Sequence, residues 1–168
     1  LGIKIMIMLG GAGGAYQEMF SNYKFYYGLI KDFLKNNNFI VGIDLDVEEF
    51  VEVSDIKTLI KDIDSDFGKD YIITMAPVDI ALTSDYPGLG GFYYSDLIKT
   101  DEGKRINWFN GQFYYNYTIN EYSKILNRGF TPDKVAMGMV YYQYNSITFK
   151  RALDEIKKIK NKYNNFCG

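Results

Sequence analysis

Gly42-Ile43-Asp44-Leu45-Asp46-Val47-Glu48 is the stretch that decides how this 168-residue chain folds. Acidic and apolar residues alternate from Asp44 to Glu48, and successive side chains of an extended strand point to opposite faces. Asp44, Asp46 and Glu48 therefore share one face, and Ile43, Leu45 and Val47 the other. Residues two apart on a strand are about 6.6 Å apart, where two unit charges repel by roughly 2.5 kcal/mol at an effective dielectric near 20. Three ionised carboxylates in that row are costly, so at least one is expected to keep its proton near neutrality. A carboxyl protonated at working pH is a general acid. Glu48, the longest and the nearest to the strand's C-terminal end, is best placed to reach a ligand. Two other readings of the row stay open: an exposed acidic edge running on through Glu49, Glu52 and Asp55, or an oxygen-ligated Mg²⁺ or Ca²⁺ site.

Working outward, strand-like runs rich in Ile, Val, Met and aromatics recur at about 3–9, 39–46, 70–75, 108–114 and 134–140. Amphipathic, helix-like stretches lie between them at about 19–36, 54–65, 92–99, 119–128 and 147–162. Such alternation implies right-handed βαβ units and a parallel sheet, that is, an α/β chain. No linker or low-complexity stretch divides it, so residues 1–168 read as one domain. A doubly wound open sheet is complete with five strands, whereas a closed (β/α)8 barrel typically needs about 250 residues. Length favours the open sheet, but the acidic row argues against it. An open sheet covered by helices on both faces buries that row in oil, whereas a barrel turns it toward its interior and C-terminal mouth.

Composition narrows the chemistry. With no histidine and the single cysteine Cys167, the chain has no Ser-His-Asp or Cys-His catalysis, no usual zinc site and no internal disulfide. Acid–base work falls to carboxylates and tyrosines, and sixteen tyrosines make flat-ring stacking surfaces available alongside a Tyr-rich core. A net charge of −2 offers no basic field for nucleic acid, and no apolar run reaches the roughly 18 residues of a membrane span. The glycine run Gly10-Gly11-Ala12-Gly13-Gly14 matches neither nucleotide-binding fingerprint in register. It reads as a turn whose small residues let a neighbouring strand or a bulky ligand approach closely.

Four segments together resemble the glycoside hydrolase family 18 catalytic barrel. Val41-Gly42-Ile43-Asp44-Leu45-Asp46-Val47-Glu48 is similar to the family's Asp-x-x-Asp-x-Asp-x-Glu, with Val41 in place of the first Asp. Met8-Leu9-Gly10-Gly11 is similar to its Ser-x-Gly-Gly strand end, with Met8 in place of Ser. Thr74-Met75-Ala76-Pro77 resembles an Ala-Pro strand end, and Gln112-Phe113-Tyr114-Tyr115-Asn116 resembles Gln-Phe-Tyr-Asn-Asn. Aligned this way, the chain is a partial TIM barrel of about five βα units, the third to seventh strands, starting at Leu1 with residues expected upstream and ending where the eighth strand begins.

The resemblance implies a chitinase-like hydrolase of β-1,4-linked N-acetylglucosamine, acting on a polysaccharide or glycan without cofactor or metal, and a monomer when the barrel is complete. An endo-β-N-acetylglucosaminidase acting on N-glycans and a non-catalytic sugar-binding or structural barrel are the alternatives. It also assigns the residues. Glu48 is the acid, Asp46 orients the substrate's acetamido group, Asp44 shares a proton with Asp46, and Tyr114 holds the acetamido oxygen. Gln112, Met75, Gly10 and Gly11 line the sugar site. Tyr16, Phe92-Tyr93-Tyr94, Trp108 and Tyr141-Tyr142 are candidate stacking platforms. Asn116-Tyr117-Thr118, a glycosylation pattern, is expected to be unmodified because it falls beside that site.

Overall fold

The computed structural model describes residues 2–114, 116–140 and 146–168. Five parallel strands form one sheet whose spatial order is the chain order: β1 (Ile5–Gly10), β2 (Ile40–Asp46), β3 (Ile72–Met75), β4 (Trp108–Gln112) and β5 (Val135–Gly138). A doubly wound sheet reverses its strand order at a switch point. This one does not, and it matches the expected partial barrel of five βα units.

The register sorts the side chains into two layers. Asp44 pairs with Met8 and Thr74, and Thr74 with Trp108, so these residues share the face that a closed barrel turns inward. Leu45 pairs with Leu9 and Met75, and Met75 with Phe109, on the opposite face under the helices. That second face is the core: Ile43, Leu45, Ile73, Met75 and Val135 are all inaccessible to solvent. Helix α3 (Val53–Phe67) covers it because Ile56, Leu59, Ile60 and Ile63 recur at helical spacing and are fully buried, and the helix ends at Gly68 with φ +83°.

The helices differ from the sequence reading in detail. The stretch expected at 19–36 breaks at Asn22 into α1 (Ala15–Ser21) and α2 (Tyr23–Asn36). The stretch expected at 92–99 is a single turn, α5 (Tyr94–Leu97), flanked by α4 (Asp79–Thr83) and α6 (Asp101–Arg105). One-turn helices carry too few residues for an apolar period to stand out. Capping shows them instead, as where the Thr100 hydroxyl accepts the Gly103 amide at 3.0 Å to start α6. Helix α7 (Ile119–Asn127) is capped by Thr118 in the same way, and α8 (Ser146–Lys162) precedes a terminal segment that returns to the sheet. There the Met137 amide donates to the Gly168 carbonyl at 2.8 Å, alongside β5. Among the described residues no helix is long and apolar enough to cross a membrane.

Candidate active site

Strand β2 delivers Asp44 and Asp46, and Glu48 follows two residues past its end. The three side chains that reach them come from β3 and β4 on the same face. Asp44 Oδ1 accepts the Thr74 hydroxyl in a short hydrogen bond and the Asn110 amide at 3.1 Å. Asn110 Oδ1 in turn accepts the Trp108 indole N–H at 2.8 Å. One rung higher, the Gln112 side-chain amide faces three acceptors: Asp46 Oδ1 and Glu48 Oε1 at 3.2 Å each, and the Ala76 carbonyl at 2.7 Å. The three carboxylates thus lie on one side of the sheet, linked by donors that carry no charge.

Asp46 is only 7% exposed. Its carboxyl is pushed from an ordinary 3.8 up to about 6, first by burial and then by the negative charges of Glu48, Asp44 and Glu49. The row was expected to hold a proton near neutrality, and Asp46 is the member on which burial and repulsion converge. Among the described residues no group of three His, Cys, Asp or Glu side chains stands close enough to hold a metal ion.

The glycine turn brings β1 against Asp46 as its composition suggested. The Gly11 amide donates to the Asp46 carbonyl at 2.8 Å, and Gly10 has φ +103°. A Cβ on Gly10 would stand 2.2 Å from that carbonyl oxygen and 2.4 Å from the Tyr16 ring, so no other residue fits. A Cβ on Gly11 would stand 3.7 Å from Asp46 Oδ2, which puts this glycine beside the raised carboxyl of the row.

Other sequence candidates lie elsewhere. Met75 was assigned to the sugar site, but strand alternation pairs it with Leu45 and Phe109, and it is fully buried under the helices. Tyr16 is 1% exposed and its hydroxyl donates to the Leu9 carbonyl at 2.9 Å, so it packs beneath the glycine turn and offers no open ring face. Trp108 shares the acidic face but starts β4, about 13 Å along the strand from Gln112, where it supports Asn110. Phe92 and Tyr94 are core residues whose rings meet at 5.0 Å, leaving Tyr93 as the exposed ring of that loop. Tyr114 lies just past β4, at the same end of the sheet as Glu48. Asn116 donates to Asp79 at 3.0 Å. Tyr115 and Tyr141-Tyr142 lie outside the described residues. The partners that sequence reasoning missed are Thr74 and Asn110, although Asn110 stands two positions before Gln112 and so shares its face.

Comparison with known proteins gives a consistent answer. No family model and no curated protein matches the chain. Solved structures do. A fungal endo-β-N-acetylglucosaminidase of glycosyl hydrolase family 18 superposes with a TM-score of 0.87 at 32% identity, over 99% of this chain and 62% of its own. The chitinase ChiC of Aspergillus fumigatus gives 0.85 at 30% identity, over 99% and 63%. A putative chitinase A of Streptomyces coelicolor shares the fold at 0.56 and 21% identity, over 81% and 50%. Fold, acidic row and matches together define a chitinase-like barrel domain. The chain is similar to glycoside hydrolase family 18 structures over nearly its whole length, and it spans less than two thirds of the length of these relatives.

Proposed function

We propose that the chain carries the catalytic row of a glycoside hydrolase that cleaves β-1,4-linked N-acetylglucosamine with retention of configuration, the sugar's own acetamido group serving as nucleophile. The observation that carries this reading is the shared Gln112 amide, which holds Asp46 and Glu48 together at the open end of the sheet. In the first half-reaction Glu48 gives its proton to the glycosidic oxygen, the acetamido oxygen bonds to C1, and the C1–O bond to the leaving sugar breaks. Asp46 accepts the acetamido N–H and offsets the positive charge of the resulting oxazolinium ion. In the second, Glu48 takes a proton from water as the water oxygen bonds to C1, and the acetamido group is released. Asp44 exchanges a proton with Asp46 as Asp46 turns toward the substrate, and Tyr114 steadies the acetamido oxygen.

The substrate is a chitin oligosaccharide or, in a second reading favoured by the fit to a fungal endo-β-N-acetylglucosaminidase, the chitobiose core of an N-glycan. The test uses the longest polypeptide that carries this sequence, assayed on a fluorogenic chitotrioside and on a high-mannose glycopeptide. Glu48→Gln is expected to lower the rate on the substrate that is cleaved by about 10²-fold or more while leaving binding intact. Hydrolysis that survives the substitution at full rate overturns the assignment of Glu48. Cleavage of the glycopeptide alone selects the second reading.

A further inference from the structure

Asp44 takes side-chain donors from the two strands that follow its own. Met8, its register partner on β1, has a thioether with no hydrogen to donate. Into that gap come the Thr74 hydroxyl and the Asn110 amide, one from each of the next two strands, both ending on Asp44 Oδ1. Asn110 is itself fixed, because its own oxygen accepts the Trp108 indole N–H at 2.8 Å. An indole N–H can only donate, so it takes the amide oxygen and turns the amide NH₂ toward the acid. We propose that Asn110 and Thr74 are positioning residues that keep Asp44 as the charged member of the pair and so send the shared proton to Asp46.

The argument is one of competing donors. Two adjacent acids on one strand face cannot both ionise cheaply, so the proton goes to whichever carboxylate is worse solvated. Asp44 has two donors of its own on a single oxygen. Asp46 is more deeply buried and shares the Gln112 amide with Glu48 and a backbone carbonyl. Donors to a charged acceptor favour the charged form, so the asymmetry in donors becomes an asymmetry in charge. Among the described residues the groups around the pair add no competing cation. Asp46, Glu48 and Glu49 come from β2 and the loop after it, Tyr16 from α1 and Tyr94 from α5, and all are acids. From β1, β3 and β4 the pair meets Met8, Thr74, Asn110 and Gln112, which are uncharged. The upward displacement of Asp46 agrees with this division.

The positioning role is separable from the proposed hydrolase activity, on which only its effect on rate depends. The experiment follows the side-chain carboxyl ¹³C resonances of Asp44 and Asp46 through a pH titration, in the longest polypeptide carrying the sequence. Asn110→Leu keeps the side-chain size and removes the donor, and Thr74→Val does the same independently. In each, the Asp46 midpoint is expected to fall from about 6 by roughly one pH unit. Thr74→Ser, which keeps the hydroxyl, is expected to titrate like the wild type. Midpoints within about 0.2 unit of wild type in whichever of the two donor variants folds overturn the proposal. A shift in a protein that hydrolyses neither substrate supports the positioning role and sinks the hydrolase reading. Hydrolysis with unshifted midpoints does the reverse.

Discussion

At the scale of single residues, the acidic row was legible because alternation with period two is the least ambiguous signal a strand carries. The same rule applied to β3 separates Thr74, which faces Asp44, from Met75, which faces the core. Motif likeness alone did not make that separation. The donors to Asp44 were not legible, since they lie 30 and 66 positions away in the chain and only strand pairing brings them together. Asp46 sets a pH dependence with a definite sign. Its folded-state pKa of about 6 lies above the ordinary 3.8, so folding favours its protonated form. The stability tied to that proton is full below about pH 4 and is lost as the pH rises through 6, a difference of about 3 kcal/mol. Asp46→Asn keeps an oxygen for Gln112 and cannot ionise. Urea denaturation is therefore expected to show the variant more stable than wild type at pH 7.5, with the advantage vanishing at pH 4. An advantage equal at both pH values contradicts the displaced pKa.

At the scale of elements, the long helices and all five strands could be read from periodicity, whereas one-turn helices and the Asn22 break depend on caps and local backbone geometry. A single side chain ties several of those elements together. Arg105, at the end of α6, forms a short ion pair with Asp64 of α3 and donates to the Gly68 and Tyr71 carbonyls at 3.1 and 2.5 Å. Its side chain is 11% exposed, so the pair is largely shielded from water. The guanidinium is planar and forked, and it reaches an acid and two carbonyls at once, which an ammonium cannot. Arg105→Ala is expected to cost about 2 kcal/mol or more in chemical denaturation, because it leaves Asp64 with only the exposed Lys69 as its cation and both carbonyls without that donor. Arg105→Lys is expected to recover less than half of the loss.

At the scale of the whole molecule, α2 presents Phe25, Leu29 and Phe33 on one outward stripe, each at least half exposed. On β1, Ile5 is open to solvent as well, and so is Met8 on the acidic face of the sheet. Apolar surface of that extent beside an unpaired strand edge favours self-association. The sedimentation coefficient of the isolated 168-residue chain is expected to rise with concentration, and Phe25→Lys, Leu29→Glu and Phe33→Lys combined should flatten that dependence. A wild-type coefficient independent of concentration would show that the stripe is not adhesive. The order of the sheet has a different consequence, for time rather than for space. Among the described residues every hydrogen-bonded strand pair is also a consecutive pair along the chain, so within these five strands pairing proceeds in chain order. A ribosome releasing this polypeptide from its N-terminus can lay down each βα unit on the edge left by the one before, and Asp44 acquires its donors only as β3 and then β4 emerge.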